Sequence, residues 1–284
     1  MLNKLIKLIV VSRPISWPNT AYPFAAGYLI SGGQLDAIFF VATLFFLIPY
    51  NLLMYGVNDV FDYESDIKNP RKGGIEGALA QKAFHPVILW SSILSSLPFI
   101  TYLLMHGSLQ ANLVFAVVIF AVIAYSAAGL RFKEIPVLDS ITSSVHFVGP
   151  LIYALTLTGF ELSYLSYVLA FFLWGAASHA FGAVQDIIPD RKGGLKSIAT
   201  IFGAKTTTRL VFILYLAASV LVISQGGASI IVGLTGLIYA ANVAPYMNVT
   251  DKTSASTNQA WRRFIWLNLA SGFVVTMVLI AVNV

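Results

Sequence analysis

Long charge-free stretches dominate this chain. Residues 83–130 contain no Asp, Glu, Lys or Arg, and residues 210–250 contain none either. A membrane-spanning helix needs about 20 apolar residues, so each stretch holds two helices and a turn. His106-Gly107-Ser108 marks the first turn and Gln225-Gly226-Gly227 the second. The same pattern predicts nine spans, near 14–31, 37–57, 86–105, 111–130, 140–158, 165–185, 206–224, 228–247 and 264–282. The opening MLNKLIKLIVVSRP reads as a short amphipathic lead-in; its apolar core is brief and carries no small-residue cleavage site, so it does not read as a removed signal peptide.

Composition agrees with a lipid-embedded chain. Hydrophobic residues make up 58% and charged residues 10%, against about 25% charged in soluble domains. Cysteine is absent, which excludes disulfides, zinc-thiolate sites and a cysteine nucleophile. The four histidines (His85, His106, His146 and His179) form no HExxH pattern and read as structural or interfacial.

Assigning the loops of a nine-span chain alternately to two sides places all 17 Lys and Arg residues on one side. The positive-inside rule makes that side cytoplasmic. The basic balance is therefore topology plus attraction to anionic membrane lipid, and nucleic acid is not an expected partner. Ten of the twelve acids share that side; Asp36 and Glu161 are the exceptions.

The acids are clustered. Loop 58–82 opens with Asn58, Asp59, Asp62 and Asp66, and loop 186–209 opens with Asp186 and Asp190, each where an apolar span ends. The i, i+3, i+7 and i, i+4 spacings put each set on one face of a continuing helix, although Pro189 can stop the second. Carboxylates on one face repel unless a cation neutralises them. Oxygen ligands without Cys or His suggest Mg²⁺ or Ca²⁺, and Mg²⁺ characteristically adds substrate phosphate to one or two carboxylates. Each cluster is followed by phosphate-type donors, Arg71-Lys72-Gly73-Gly74 and Arg191-Lys192-Gly193-Gly194. The string Asp-Ile-x-x-x-Arg-Lys-Gly-Gly occurs at 66–74 and again at 186–194, which points to an internal repeat. A second register pairs Asp62/Asp66 with Asp186/Asp190, and the sequence does not choose between the two.

NDxxDxxxD after the second span and DxxxD after the sixth, with Ser12-Arg13-Pro14 and the LKSIATIFG run at 195–203, resemble the UbiA superfamily of intramembrane prenyltransferases. The resemblance covers nearly the whole chain. It implies an all-α polytopic membrane bundle of about nine transmembrane helices around a central cavity, one domain over 1–284 with two pseudo-repeated halves. Within the superfamily, the runs at 12–24, 48–79, 130–147 and 181–200 are similar to bacterial lycopene elongases.

That resemblance implies an enzyme of the cell membrane that transfers a C5 dimethylallyl group from its diphosphate to lycopene, on the route to C50 carotenoids. Mg²⁺ is the implied cofactor. Asn58, Asp59, Asp62, Asp66, Asp186 and Asp190 are the expected metal set, with Asp62, Asp66, Asp186 and Asp190 catalytic. Arg71, Lys72, Arg131, Lys133, Arg191 and Lys192 are the expected diphosphate clamps. Tyr55, Phe61, Phe147 and Phe181 are candidates to stabilise an allylic cation. The base that takes the final proton is not identified. The second motif lacks a third acid, so its metal site is lighter in carboxylates. Gly27, Gly56, Gly149, Gly175 and Gly182 suit either an apolar acceptor or helix packing. The implied partners are the allylic diphosphate, lycopene and lipid, with room for a partner subunit or a carotenoid cyclase.

Other readings are an aromatic or glycerol-lipid acceptor, a CDP-alcohol phosphotransferase and a cation-coupled transporter. The first needs a further polar cluster and the second a DGxxAR element; the chain has neither. A transporter would place its acids near the bilayer midplane.

Overall fold

The computed structural model describes residues 2–67 and 79–283, and among these the regular structure is helical throughout. All nine expected segments form helices. Eight stretches are long and apolar enough to cross a membrane: Ala37–Phe61, Lys82–His106, Leu109–Ser126, Leu138–Thr158, Leu162–Val184, Ile198–Ile223, Ser229–Tyr246 and Asp251–Val282. The segment expected near 14–31 is shorter, a 14-residue helix α2 (Trp17–Ile30). Arg13 in a left-handed conformation (φ 51°) and the 3-10 turn Pro14–Ser16 take its first residues, and Gly32 (φ 92°) turns the chain away at its end.

Packing divides the chain into two compact units, residues 1–132 with 145–161, and residues 133–144 with 162–284. The first contains α1 (Leu2–Val11), α2, α3 (Ala37–Leu47), α4 (Pro49–Phe61), α5 (Tyr63–Asp66), α6 (His85–His106), α7 (Leu109–Ser126) and the later part of α8 (Leu138–Thr158). Its core is aromatic: Phe24, Phe45, Phe46, Tyr50, Phe115 and Tyr153 are all buried. The rings of Phe115 and Tyr153 stack at 4.7 Å, and Phe45 and Phe46 meet edge-on at 5.1 Å. Apolar side chains such as Leu94, Leu97 and Met105 on α6 remain exposed, as a lipid-facing surface requires.

Pro49 breaks the second span between α3 and α4. A break in a membrane helix leaves backbone carbonyls that water cannot reach. Here the Phe46 carbonyl accepts from Thr20 Oγ1 (2.7 Å) and Asn51 Nδ2 (2.8 Å), and Asn51 Nδ2 also reaches Leu47 O at 3.1 Å. Asn51 further donates to Thr20 Oγ1 at 2.7 Å, which ties α2 to the break.

The second unit contains the start of α8, then α9 (Leu165–Val184), α10 (Ile187–Gly193), α11 (Ile198–Ile223), α12 (Ser229–Val243) and α13 (Asn258–Asn283). Helix α11 packs against both α9 and α12, over a core that includes Ala177, Phe181, Tyr215, Tyr239 and Phe264. Ser197 caps α11, accepting from Thr200 N at 3.2 Å while Thr200 Oγ1 accepts from Ser197 N at 2.7 Å.

The five glycines with two sequence readings serve close packing. A Cβ at Gly27 would lie 2.5 Å from Leu151 Cδ1, at Gly56 2.9 Å from Ile88 Cγ2, at Gly149 2.6 Å from Val118 Cγ2, and at Gly182 3.1 Å from the Trp261 ring. At Gly175 it would meet Ser144 Oγ at 2.5 Å and Ser144 Cα at 3.1 Å, so backbone as well as side chain must move. Gly175→Leu should therefore destabilise the fold by about 2 kcal/mol or more. A thermal-denaturation midpoint in detergent equal to wild type would show that the helices there are not in close contact.

Candidate functional site

The first motif sits where α4 runs out. Asp62 closes α4 at φ −97°, ψ −2°, and the helical path resumes at once as α5, with Asp66 N donating to Asp62 O at 2.8 Å. Asp59, Asp62 and Asp66 are all buried, at 3%, 7% and 8% exposure. Three buried carboxylates at the end of an apolar span require cations nearby. Arg13 Nη2 meets Asp59 Oδ1 at 2.6 Å, and the Arg13 guanidinium lies 4.2 Å over the Tyr55 ring. Arg131 Nη2 lies 3.6 Å from Asp62 Oδ1. Asn58 Oδ1 accepts from Ser126 Oγ at 2.9 Å, which orients its amide.

Both arginines hold left-handed backbone, Arg13 at φ 51° and Arg131 at φ 42°. That conformation costs a non-glycine residue about 1–3 kcal/mol, and such strain clusters at functional sites. Each of the two spends it on an aspartate of the same motif.

The second motif repeats the first on the backbone. Asp186 follows α9 at φ −95°, ψ 0°, helix α10 resumes, and Asp190 N donates to Asp186 O at 2.9 Å. These torsions lie within about 2° of those at Asp62, so the structure selects the register that pairs Asp62/Asp66 with Asp186/Asp190. The Asp-Ile-x-x-x-Arg-Lys-Gly-Gly strings are displaced from that match by four residues, about one helical turn. Asn58 then corresponds to Gly182, so the second motif offers fewer oxygen donors.

The expected clamps fare differently. Arg131 lies against the first motif. Arg191 is engaged inside its own unit: Nε and Nη2 donate to Thr200 O at 3.1 and 2.7 Å, and Nη1 meets Asp251 Oδ2 at 2.6 Å. Asp251 also accepts from Ala204 N at 2.7 Å, beside the Gly203 kink (φ 77°) in α11. Arg191 thus anchors α10 to α11 and to the segment that begins at Asp251. Lys192 is exposed and Lys133 half-buried. Arg71 and Lys72 lie outside the described residues.

Of the cation-stabilising candidates, Phe181 is spent in the core, at 1% exposure, and one face of Tyr55 is covered by Arg13. Phe61 is exposed and Phe147 half-buried.

Among the described residues, no three His, Cys, Asp or Glu side chains converge into a cage that could hold an ion by themselves. Carboxylates in ones and twos, an oriented Asn and no soft ligand match Mg²⁺, which completes its shell with water and phosphate, better than Zn²⁺ or Ca²⁺.

The UbiA prenyltransferase family matches this chain over residues 20–268. The chain belongs to that family. A lycopene elongase/hydratase of Corynebacterium glutamicum is 47% identical over 285 residues, covering 100% of this chain and 99% of that protein. A C(50) beta-cyclic carotenoids biosynthesis protein of Dietzia is 47% identical over 97% of this chain and 65% of its own length. The fold matches a UbiA homologue from Archaeoglobus fulgidus bound to DMAPP and Mg²⁺, with TM-score 0.68, 19% identity, and 94% and 99% of the two chains covered.

As a UbiA-family member the chain is an integral membrane prenyltransferase. Sequence reasoning missed two of its polar residues. Arg13 stood only as part of a family run, and Asp139 was not singled out. Asp139 is fully buried and accepts from Ser140 N and Ile198 N, both at 2.7 Å. An acid at the start of an apolar span was the available signal for Asp139; its partner lies 59 residues away.

Proposed function

We propose that this protein is a lycopene elongase, an Mg²⁺-dependent prenyltransferase that moves a dimethylallyl group from its diphosphate to lycopene on the route to C50 carotenoids. The observation that carries the reading is the 47% identity, over essentially the whole of both chains, to the lycopene elongase/hydratase of C. glutamicum. The matched Asp62/Asp66 and Asp186/Asp190 turns supply the chemistry that such a reaction needs.

In this reading Asn58, Asp59, Asp62, Asp66, Asp186 and Asp190 hold Mg²⁺, within one membrane domain of two pseudo-repeated halves. Mg²⁺ held there would supply positive charge against the charge that grows on the diphosphate as the C–O bond breaks. Arg131, Lys133, Arg191 and Lys192 grip phosphate oxygens, joined by Arg71 and Lys72. Arg13 holds Asp59 in place, and Arg191 fixes the helix that presents Asp190. The allylic carbon, once released, is attacked by the terminal double bond of lycopene.

The test is product analysis in isolated membranes given dimethylallyl diphosphate, Mg²⁺ and lycopene. C45 or C50 carotenoids are expected, and chelation should remove them. Transfer of a long polyprenyl chain to 4-hydroxybenzoate or a naphthoate instead would leave the family intact and overturn the acceptor.

The N-terminus and both acidic loops face the cytoplasm in this reading, because all 17 basic residues fall on one side of a nine-span chain. Reporter fusions after Lys82 and after Val284 should then sit on opposite sides of the cell membrane. Signals from the same side would contradict the arrangement.

A further inference from the structure

We propose that the outer face of α13 binds an anionic phospholipid, with Arg262 and Arg263 on its phosphate and Trp266, Leu269 and Phe273 along an acyl chain. The site does not depend on the acceptor reading above. Contacts settle which face of α13 is turned inward. Ala260 and Phe264 are buried in the core of the second unit, the Trp261 ring packs over Gly182, and Asn268 Oδ1 accepts from Tyr239 Oη at 2.9 Å. Gln259, Arg262, Arg263, Trp266, Leu269 and Phe273 stay exposed. At 3.6 residues per turn these six fall within one sector of about 120°.

Polarity along that sector follows the order of a phospholipid. The two arginines come at the edge of the apolar run. Ser256, Asn258 and Gln259 join them in an open cleft of about 580 Å³, whose lining holds two cations and no carboxylate. Trp266 follows one turn deeper at 72% exposure, and an indole is favoured at the membrane interface. Leu269 and Phe273 then continue the exposed face. Phe273 lies about 15 Å below Arg263 by helical rise, which is the hydrocarbon depth of about one leaflet.

The arginines set the charge of the ligand. Arg13 is engaged with Asp59, Arg131 with Asp62, Arg191 with Thr200 and Asp251, and Arg209 with Met247 O and Asn248. Among the described residues, Arg262 and Arg263 alone of the arginines have no hydrogen-bond or ion-pair partner. Adjacent guanidiniums repel unless an anion bridges them, and each fork fits two phosphate oxygens. A zwitterionic headgroup would bring its own ammonium into that field, so a net-negative lipid fits better. A second copy of this chain fits worse, because a two-fold contact on this face would set one arginine pair against the other.

The test is quenching of Trp266 fluorescence by dibrominated lipid, read as the difference between the wild-type protein and Trp266→Phe in phosphatidylcholine vesicles. Dibrominated phosphatidylglycerol should quench with about tenfold the apparent affinity of dibrominated phosphatidylcholine. Arg262→Gln with Arg263→Gln should bring that ratio to about one, and Arg262→Lys with Arg263→Lys should keep most of it. Lys4→Gln with Lys205→Gln removes the same charge elsewhere and should leave the ratio unchanged. Millimolar inorganic phosphate should not displace the lipid, since it lacks the chain. Equal quenching by the two lipids in wild type, an equal loss in the Lys4/Lys205 variant, or displacement by inorganic phosphate would overturn the site. A Trp266 that neither lipid quenches would be covered by protein, which would overturn it too.

Discussion

Asp62→Ala and Asp186→Ala should each lower dimethylallyl transfer about 1,000-fold while the protein accumulates normally. That factor corresponds to about 4 kcal/mol of transition-state stabilisation. Both residues occupy the same turn between a spanning helix and its short continuation, with nearly equal torsions. A carboxylate that holds metal at a breaking C–O bond acts mostly in the transition state, where the diphosphate gains charge, so kcat should carry the loss. The measurement is initial rate in membranes, normalised to protein. Full activity in either variant would remove that aspartate from the metal set.

Arg13→Met should lower the melting midpoint in EDTA by about 10 °C. Asp59 is almost fully enclosed, with its side chain at 1% exposure, and Arg13 meets it at 2.6 Å. Removing one member of a buried pair costs about 3–5 kcal/mol, because the remaining charge keeps its desolvation penalty. The same substitution also frees the left-handed backbone at Arg13, which offsets little of that loss since Pro14 still constrains the turn. Mg²⁺ with an allylic diphosphate should recover part of the deficit, because bound cations replace the missing positive charge and binding to the folded state stabilises it. A variant that melts like wild type in EDTA would mean that Asp59 does not depend on Arg13.

Much of this arrangement was legible in the order of residues. Apolar block length placed the spans because a bilayer sets the length of a crossing helix, although α11 begins at Ile198 rather than 206 and α13 at Asn258 rather than 264. The acidic clusters were visible because charge is rare in the chain and gathers at two span ends. What was not legible shares a cause. The sequence neighbours of Arg191 repeat those of Arg71, while its partners Thr200 and Asp251 come from elsewhere in the unit. Arg13 was overlooked because Asp59 lies 46 residues away. The glycines could not be sorted between packing and ligand contact until the neighbouring helix was in place; Ser144 beside Gly175 decides that case. Register was the subtler matter. The letters allow two alignments of the motifs, and backbone torsion at Asp62 and Asp186 favours the one that pairs these residues.

The seam formed by Thr20, Asn51 and the Phe46 carbonyl at the Pro49 break binds these positions into one unit of inheritance. An isolated change of Asn51 to leucine would remove the amide donor from the Phe46 and Leu47 carbonyls, leaving Phe46 with Thr20 alone in a place lipid cannot hydrate. A simultaneous loss of Pro49 would let the helix run on through the break, so that the N–H groups of Tyr50 and residue 51 reach the Phe46 and Leu47 carbonyls and the same leucine becomes tolerable. Among diverging descendants of this chain, an apolar residue at 51 should therefore appear with a residue other than proline at 49, and Thr20 should drift only in those lineages. The step at Asn51 is costly for as long as Pro49 remains, so the pair should persist long after the surrounding lipid-facing positions have been rewritten.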